Sequence, residues 1–297
     1  MSTVRPGSVR AWLLAARLPT LTAAVVPVAV GWACASRTGE AAWAPTIAAL
    51  VGAIFIQIGT NLANDLHDFQ RGADTAARLG PRRAAQSGLL TESALARGIV
   101  VAFGLAVVAG VYLTWVRGGV MVGIGVSSLL AGLAYTAGPF PLAYHGLGEV
   151  FVLVFFGFVA VCGTALAATG AVPLIAWLAA VPVGAAASLL LVVNNLRDRH
   201  TDAAAGKWTL VARFGRRFGE IEWVLVATLL YLPPVVAVAS GRLGVAALLP
   251  LVTMPLAWRL WGEVRALDGA ALNGVLQRTA RLLLLHGLAW AVGLAAS

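Results

Sequence analysis

Charge is what this chain has least of. Only 11% of its 297 residues are charged, 12 of them acidic, and 60% are hydrophobic. A soluble domain carries about a quarter charged residues, so a water-soluble globule is excluded. Two cysteines, Cys34 and Cys162, lie far apart in or beside apolar runs. That excludes a disulfide framework and a cysteine zinc site, and leaves packed thiols. Four scattered histidines, His67, His145, His200 and His286, give no zinc pattern and read as supporting or structural. The weak alternation of a membrane barrel, in segments of about 10 residues, is missing as well.

Long apolar runs are abundant. Mean hydropathy is +0.88, and runs of roughly 20 residues recur, each enough to cross about 30 Å of hydrocarbon. Nine spans are expected, near 11–34, 42–65, 94–116, 119–137, 148–169, 172–195, 219–239, 243–262 and 279–296. The fold class is therefore all-α: a multi-pass transmembrane helical bundle of about nine helices. No linker or low-complexity segment divides it, so 1–297 reads as one membrane domain. No cleavable signal peptide is expected at the basic, then apolar, start.

The connections alternate between short and long. With the N-terminus in the cytoplasm, the short turns face outward and hold only Arg37, Arg117 and Arg242 of the 21 basic residues. This positive-inside bias predicts an integral cytoplasmic-membrane protein with its N-terminus and longer loops cytoplasmic, in contact with membrane lipid. The basic residues sit in separate membrane loops rather than on one face, which argues against nucleic acid. All acidic residues except Glu40 fall on the cytoplasmic side, so charged chemistry is expected there.

Two stretches break the apolar background. "NLANDLHDFQRGAD" (61–74) carries Asp65 and Asp68 three apart on one helical face, Asn61 and Asn64 about one turn earlier, and Asp74 beyond Gly72. "NNLRDRHTDAAAGK" (194–207) carries Asp198 and Asp202 four apart, after Asn194 and Asn195. The echo, about 130 residues apart, suggests a duplicated bundle with a site where its halves meet. Carboxylates and amides are hard donors suited to Mg²⁺, which takes one or two carboxylates and shares substrate phosphates. Two facing pairs would hold two Mg²⁺ ions with a diphosphate between them. Arg78, Arg82, Arg197 and Lys207, the only lysine, supply countercharge for phosphate oxygens. A third stretch, "YTAGPFPLAYHGLGE" (135–149), brings Tyr135, Phe140, Tyr144 and His145 into a turn broken by proline and glycine. Its aromatic faces suit a cation. A solvated helix end, topogenic arginines and an interfacial aromatic belt are the plainer readings of the same residues.

Together, "NDLHD" with Asp74, and "NNLRDRHTD" with "GKWTL", resemble the two aspartate-rich motifs of the UbiA-type intramembrane prenyltransferases. "RLGPRRAAQSGLL" and "YTAGPFPLAYHGLGEVFVLVFFG" are similar to the branch of that superfamily that uses 1,4-dihydroxy-2-naphthoate. The resemblance covers nearly the whole chain. It departs from the common first motif at Gly72, which stands where an acid is frequent.

The resemblance implies transfer of a polyprenyl group from a polyprenyl diphosphate to 1,4-dihydroxy-2-naphthoate, with loss of CO₂ and diphosphate, giving demethylmenaquinone. It implies Mg²⁺ on Asp65, Asp68, Asp198 and Asp202, with Lys207 assisting the leaving group. Asn61, Asn64, Asp74, Arg78, Arg82, Tyr135, Tyr144, Asn194, Asn195 and Arg197 are the expected substrate contacts. The open alternatives are another aromatic acceptor, such as 4-hydroxybenzoate or homogentisate, and, more remotely, an ion-coupled transporter.

Overall fold

The computed structural model describes residues 4–73 and 78–297. The described residues are helical, without strands. Helix α1 spans Val9–Ala16, α2 Thr22–Ser36, α3 Trp43–Gln70, α4 Glu92–Arg117 and α5 Val120–Ala134. Helix α6 runs over Gly148–Thr169, passing through a π-helical stretch at Leu153–Val159. Then come α7 (Leu174–Ala204), α8 (Leu210–Phe214), α9 (Arg216–Ala239), α10 (Met254–Ala266) and α11 (Leu272–Ala295). Among the described residues, seven helical segments are long and apolar enough to cross a membrane. Val120–Ala134 is shorter, and Arg278 and Arg281 lower the hydropathy of α11.

The nine expected spans all find a counterpart, with two corrections. The first, expected unbroken over 11–34, is divided. Ser8 caps α1 by accepting from the Ala11 amide at 3.3 Å. The helix stops at Arg17, which adopts φ 52°, and Pro19 opens a short 3₁₀ turn over Leu18–Leu21 before α2. The eighth span begins not as an α-helix but as a 3₁₀ segment, Val245–Thr253, with Pro250 inside it.

Apolar side chains gather in two clusters. The larger joins α2, α6, α7, α9, α10 and α11 around residues such as Val30, Val161, Leu189, Leu230 and Leu282. The smaller joins α1, α3, the start of α4 and the preceding turn, around Ala11, Leu62, Ala84 and Leu95. Helices α6 and α7 meet backbone to backbone. A Cβ on Gly157 would lie 2.7 Å from the Ala180 carbonyl oxygen, and one on Gly184 2.6 Å from that of Leu153. Only glycine permits this approach, and the π-helical turns of α6 fall at that crossing. Both expected packed thiols, Cys34 and Cys162, are buried and unpaired.

The two ends of the bundle differ. At one end, Arg37 donates to the Leu294 carbonyl at 2.7 Å, and Arg117 to those of Ala167 and Ala168 at 2.7 and 2.9 Å. These arginines close the exposed carbonyls of helix C-termini. The opposite, charged end carries both aspartate-rich segments and the loops that cover them.

Candidate active site

Both aspartate-rich segments end their helices in the same way. At the end of α3, Gly72 takes φ 71°; its amide donates to Phe69 O at 3.0 Å and the Ala73 amide to Asp68 O at 2.9 Å. At the end of α7, Gly206 takes φ 72°; its amide donates to Ala203 O at 3.1 Å and the Lys207 amide to Asp202 O at 2.8 Å. Each is a Schellman cap, in which a left-handed glycine turns the chain back over the last turn. The pattern Asp-x-x-x-Gly therefore sets a register between the halves. Asp68 matches Asp202, Asn64 matches Asp198, Asn61 matches Asn195, and Ala73 matches Lys207. By the same register Asp65 matches Arg199, not Asp198.

The caps fold Lys207 against its own helix. Its Nζ is 3.6 Å from Asp202 Oδ1 and 5.9 Å from the centre of the Tyr144 ring. Tyr144 donates its hydroxyl to Asp68 Oδ1 at 3.0 Å, and Arg83 reaches Asp68 Oδ2 at 3.4 Å. Asp68, Tyr144, Lys207 and Asp202 thus form one chain of contacts between the two halves. The turn holding Tyr144 is itself tied in, since the Trp208 amide donates to Tyr144 O at 3.0 Å and that of Ala143 to Tyr135 O at 3.0 Å. Burial opposes a charge on Lys207, but Asp202, Asp68 and Asp198 outweigh it and raise its pKa, so the ammonium persists. Burial and the Asp68 carboxylate push the Tyr144 phenol up, which keeps it a neutral donor.

A cavity of about 930 Å³ runs from this cluster into the bundle. One face of α3 lines it: Asp68, Asn64, Asn61, Thr60, Ile56, Ala53, Gly52 and Ala49. The spacing is helical, and the character grades from ionic to small and apolar. From Asp68 to Ala49 the rise is about 28 Å, close to the hydrocarbon thickness. Phe151, Phe155 and Phe156 of α6 and Tyr135 beyond α5 add aromatic faces. Arg78, Arg82, Arg83, Arg197 and Lys207 surround the charged mouth.

The expected site residues divide accordingly. Asn64, Asp68, Arg78, Arg82, Tyr135, Asn194, Arg197 and Lys207 line the cavity. Asn64 accepts from the Thr136 hydroxyl at 2.8 Å. Asn61 also lines it, but its amide donates to Ala16 O and Thr20 Oγ1, both at 2.9 Å, and so holds the break between α1 and α2. Arg197 is almost wholly buried. It donates to both oxygens of Asp198 at 2.8 and 2.5 Å, to Asn194 Oδ1 at 2.7 Å and to Asn273 Oδ1 at 3.0 Å. Asp198 and Asp202 stand outside the cavity wall, Asp198 engaged by Arg197 and Asp202 beside Lys207.

Two of the expected residues stand off the cavity wall, and a third is not among the described ones. Asp65 was expected in the metal set, but it lies outside the cavity wall, and both its oxygens accept backbone amides, of Ala84 at 2.9 Å and Ala85 at 3.2 Å. Asn195 turns to α6 and donates to Glu149 Oε1 at 2.6 Å, because adjacent residues on a helix face about 100° apart. Asp74 lies outside the described residues. Sequence reasoning counted Arg83 among the basic residues after the first cluster without placing it in the site, and passed over Thr136 and Asn273. Arg83 was visible as the second arginine of Gly-Pro-Arg-Arg; Asn273 follows no pattern.

A metal was implied by the donor chemistry, and the residues fit one of a particular kind. Among the described residues no three His, Cys, Asp or Glu side chains converge to cage an ion. Asp68 and Asp202 do offer oxygen donors from opposite halves, and Asp202 Oδ2 is buried without a hydrogen-bond partner. Few carboxylates and room for an anion suit Mg²⁺, which completes its shell with phosphate and water.

A helical membrane bundle with carboxylates and cations at the mouth of a membrane-deep apolar cavity is built for an amphiphile with an anionic head. The chain belongs to the UbiA prenyltransferase family, whose sequence profile matches residues 24–276. It is 37% identical to a 1,4-dihydroxy-2-naphthoate octaprenyltransferase of Mycobacterium leprae, over 96% of this chain and 94% of that protein. It is 33% identical to one from Escherichia coli K12, over 96% and 95%. Its fold is similar to a UbiA homolog from Aeropyrum pernix (TM-score 0.71, 16% identity, 90% of this chain and 96% of the other). It is similar too to an Archaeoglobus fulgidus UbiA homolog bound to GPP and Mg²⁺ (TM-score 0.64, 14% identity, 97% and 100%).

Proposed function

We propose that this protein transfers a polyprenyl group from a polyprenyl diphosphate to a ring carbon of 1,4-dihydroxy-2-naphthoate, with release of diphosphate and CO₂, to give demethylmenaquinone. The observation that carries the transfer is the cavity itself: ionic at one end, apolar along the rest, and about as deep as the hydrocarbon layer. The acceptor rests on the naphthoate octaprenyltransferases that the chain resembles over almost its full length. The charge bias supports a cytoplasmic-membrane protein with its charged end in the cytoplasm.

In this reading Mg²⁺, as two ions, would be held from the two halves by Asp68 and Asp202, with Asn64 and Asp198 at the matching positions one turn earlier. When bound, Mg²⁺ neutralises the diphosphate and eases its departure. Lys207 faces the leaving oxygens as a compact charge, and Arg78, Arg82 and Arg83 close around the same anion. The α3 face from Thr60 to Ala49 seats the prenyl tail and excludes water from the allylic carbon. Tyr135 and the α6 phenylalanines line the cavity, where their rings stabilise positive charge on that carbon.

Membranes carrying the protein, given a labelled polyprenyl diphosphate and each of 1,4-dihydroxy-2-naphthoate, 4-hydroxybenzoate and homogentisate, test the reading. A Mg²⁺-dependent prenylated lipid with the naphthoate alone is expected. Product with another acid and none with the naphthoate would overturn the acceptor.

A further inference from the structure

Asp65 has the burial of a core residue and the partners of a loop anchor. It is 1% exposed, and each oxygen takes a backbone amide from the turn that precedes α4. That turn is closed on itself, since the Leu89 and Leu90 amides both donate to Ala84 O, at 2.9 and 3.1 Å. Five residues back it is pinned again. Asn273, on the first turn of α11, donates to Leu79 O at 2.7 Å and accepts from Arg197 with its other amide atom. Between the two pins Gly80 lies against the Arg197 guanidinium, so closely that a Cβ would come within 2.7 Å of Nη2. The segment held between them, Pro81-Arg82-Arg83, lines the mouth of the cavity.

The second half gives an independent parallel. Arg199, the register partner of Asp65, also turns from the cavity and binds a neighbouring loop, donating to both oxygens of Asp268. In each half the residue after the Asn64/Asp198 position ties down a loop.

We propose that Asp65 is a positioning residue rather than a metal ligand. With Asn273 it straps the 79–85 turn across the mouth, so that Arg82 and Arg83 meet the diphosphate of the donor. This rests on the reading of the cavity as a prenyl diphosphate site. Asp65 stands off the cavity wall and both its oxygens are directed to the turn, whereas Asp68 on the same helix lines the cavity itself. Releasing it would free the turn and with it the Arg83 contact to Asp68, while Asp68 and Asp202 themselves keep their places on the capped ends of α3 and α7.

The test uses the full chain in proteoliposomes, with Asp65→Asn, Asn273→Ala and Asp68→Asn as variants. It reads trypsin cleavage at Arg82 and Arg83, and binding of a non-hydrolysable prenyl thiodiphosphate across a Mg²⁺ titration. Asp65→Asn and Asn273→Ala are expected to speed cleavage and weaken analogue binding by about tenfold, the scale of one hydrogen bond to a charged group, with the Mg²⁺ midpoint unmoved. Asp68→Asn is expected to raise the Mg²⁺ midpoint with the turn still protected. The proposal is overturned if Asp65→Asn raises the Mg²⁺ midpoint as Asp68→Asn does while cleavage stays slow. If Asp65→Asn does not fold, unchanged cleavage in Asn273→Ala overturns the strap. Failure of the wild-type protein to bind the analogue would count against the cavity reading alone, because cleavage reports on the strap without a ligand.

Discussion

The ends of α3 and α7 share a backbone and differ in their chemistry. Both are Schellman-capped with an aspartate four residues before the glycine, and both bring that aspartate to the centre, Asp68 from one half and Asp202 from the other. One turn earlier they diverge. Asn64 is neutral and bonded to Thr136, whereas Asp198 is ionic and gripped by the buried Arg197. After the glycine they diverge again, to Ala73 in one half and Lys207 in the other. The same turn supplies a carboxylate twice but a cation once. A symmetric scaffold carries an asymmetric charged end, and in the proposed reading that asymmetry suits a donor that must be both held and split.

Removing the cation should have the largest effect. Lys207→Ala is expected to lower kcat by about 10²-fold, the scale seen when one donor to a developing anion is lost. Lys207→Arg should restore part of it by keeping the charge. Steady-state rates in proteoliposomes check this, and a Lys207→Ala enzyme near wild-type would erase the contrast between the halves.

The shared backbone is tested by Gly72→Ala and Gly206→Ala. Neither glycine has an atom near the position of an added Cβ, so the cost is left-handed backbone strain, about 1–2 kcal/mol in each. Thermal midpoints are expected to fall by similar small amounts. Activity should fall much further in Gly206→Ala, because only that turn carries Lys207. Equal activity losses would show that the turn matters for stability alone.

The smallest effect concerns the loop tie of the second half. Hydrogen bonds from Arg199, helped by the Gly269 amide and Arg216, hold the Asp268 carboxyl down at about 2. Its ordinary value is ~3.9, so the tie is fully present above about pH 4 and lost as the pH falls toward 2. Asp268 is half exposed, so Asp268→Asn should cost no more than about 1 kcal/mol at pH 7. The cost should be the same at pH 5. Denaturation midpoints of the two proteins at several pH values measure it, and a cost that grows on acidification would contradict the assignment.

Much of this was legible in the sequence. The spans stood out because apolar runs of membrane length leave little choice of structure, and the acids stood out because so few charges occur elsewhere. Charge was the wrong guide to register. Asp65 and Asp68 looked like the partners of Asp198 and Asp202 because they are aspartates, yet the glycine spacing after Asp68 and Asp202 aligns Asn64 with Asp198. That signal was present and was outweighed by residue type. The break at Arg17 left a fainter trace, a basic residue and Pro19 inside an apolar run. Asn273 left none, because its role depends on a contact with Leu79 across 194 residues, which no local pattern encodes.

The central claim is that Asp68 and Asp202 act on one shared metal–diphosphate unit. A double-mutant cycle tests it directly: Mg²⁺-dependent binding of a prenyl thiodiphosphate to wild type, Asp68→Asn, Asp202→Asn and the double variant. Residues that serve one unit couple strongly, and independent sites add. The account predicts that either single substitution removes nearly all Mg²⁺-dependent affinity and the double variant loses little more. Losses that simply add would place the two aspartates in separate sites and contradict it.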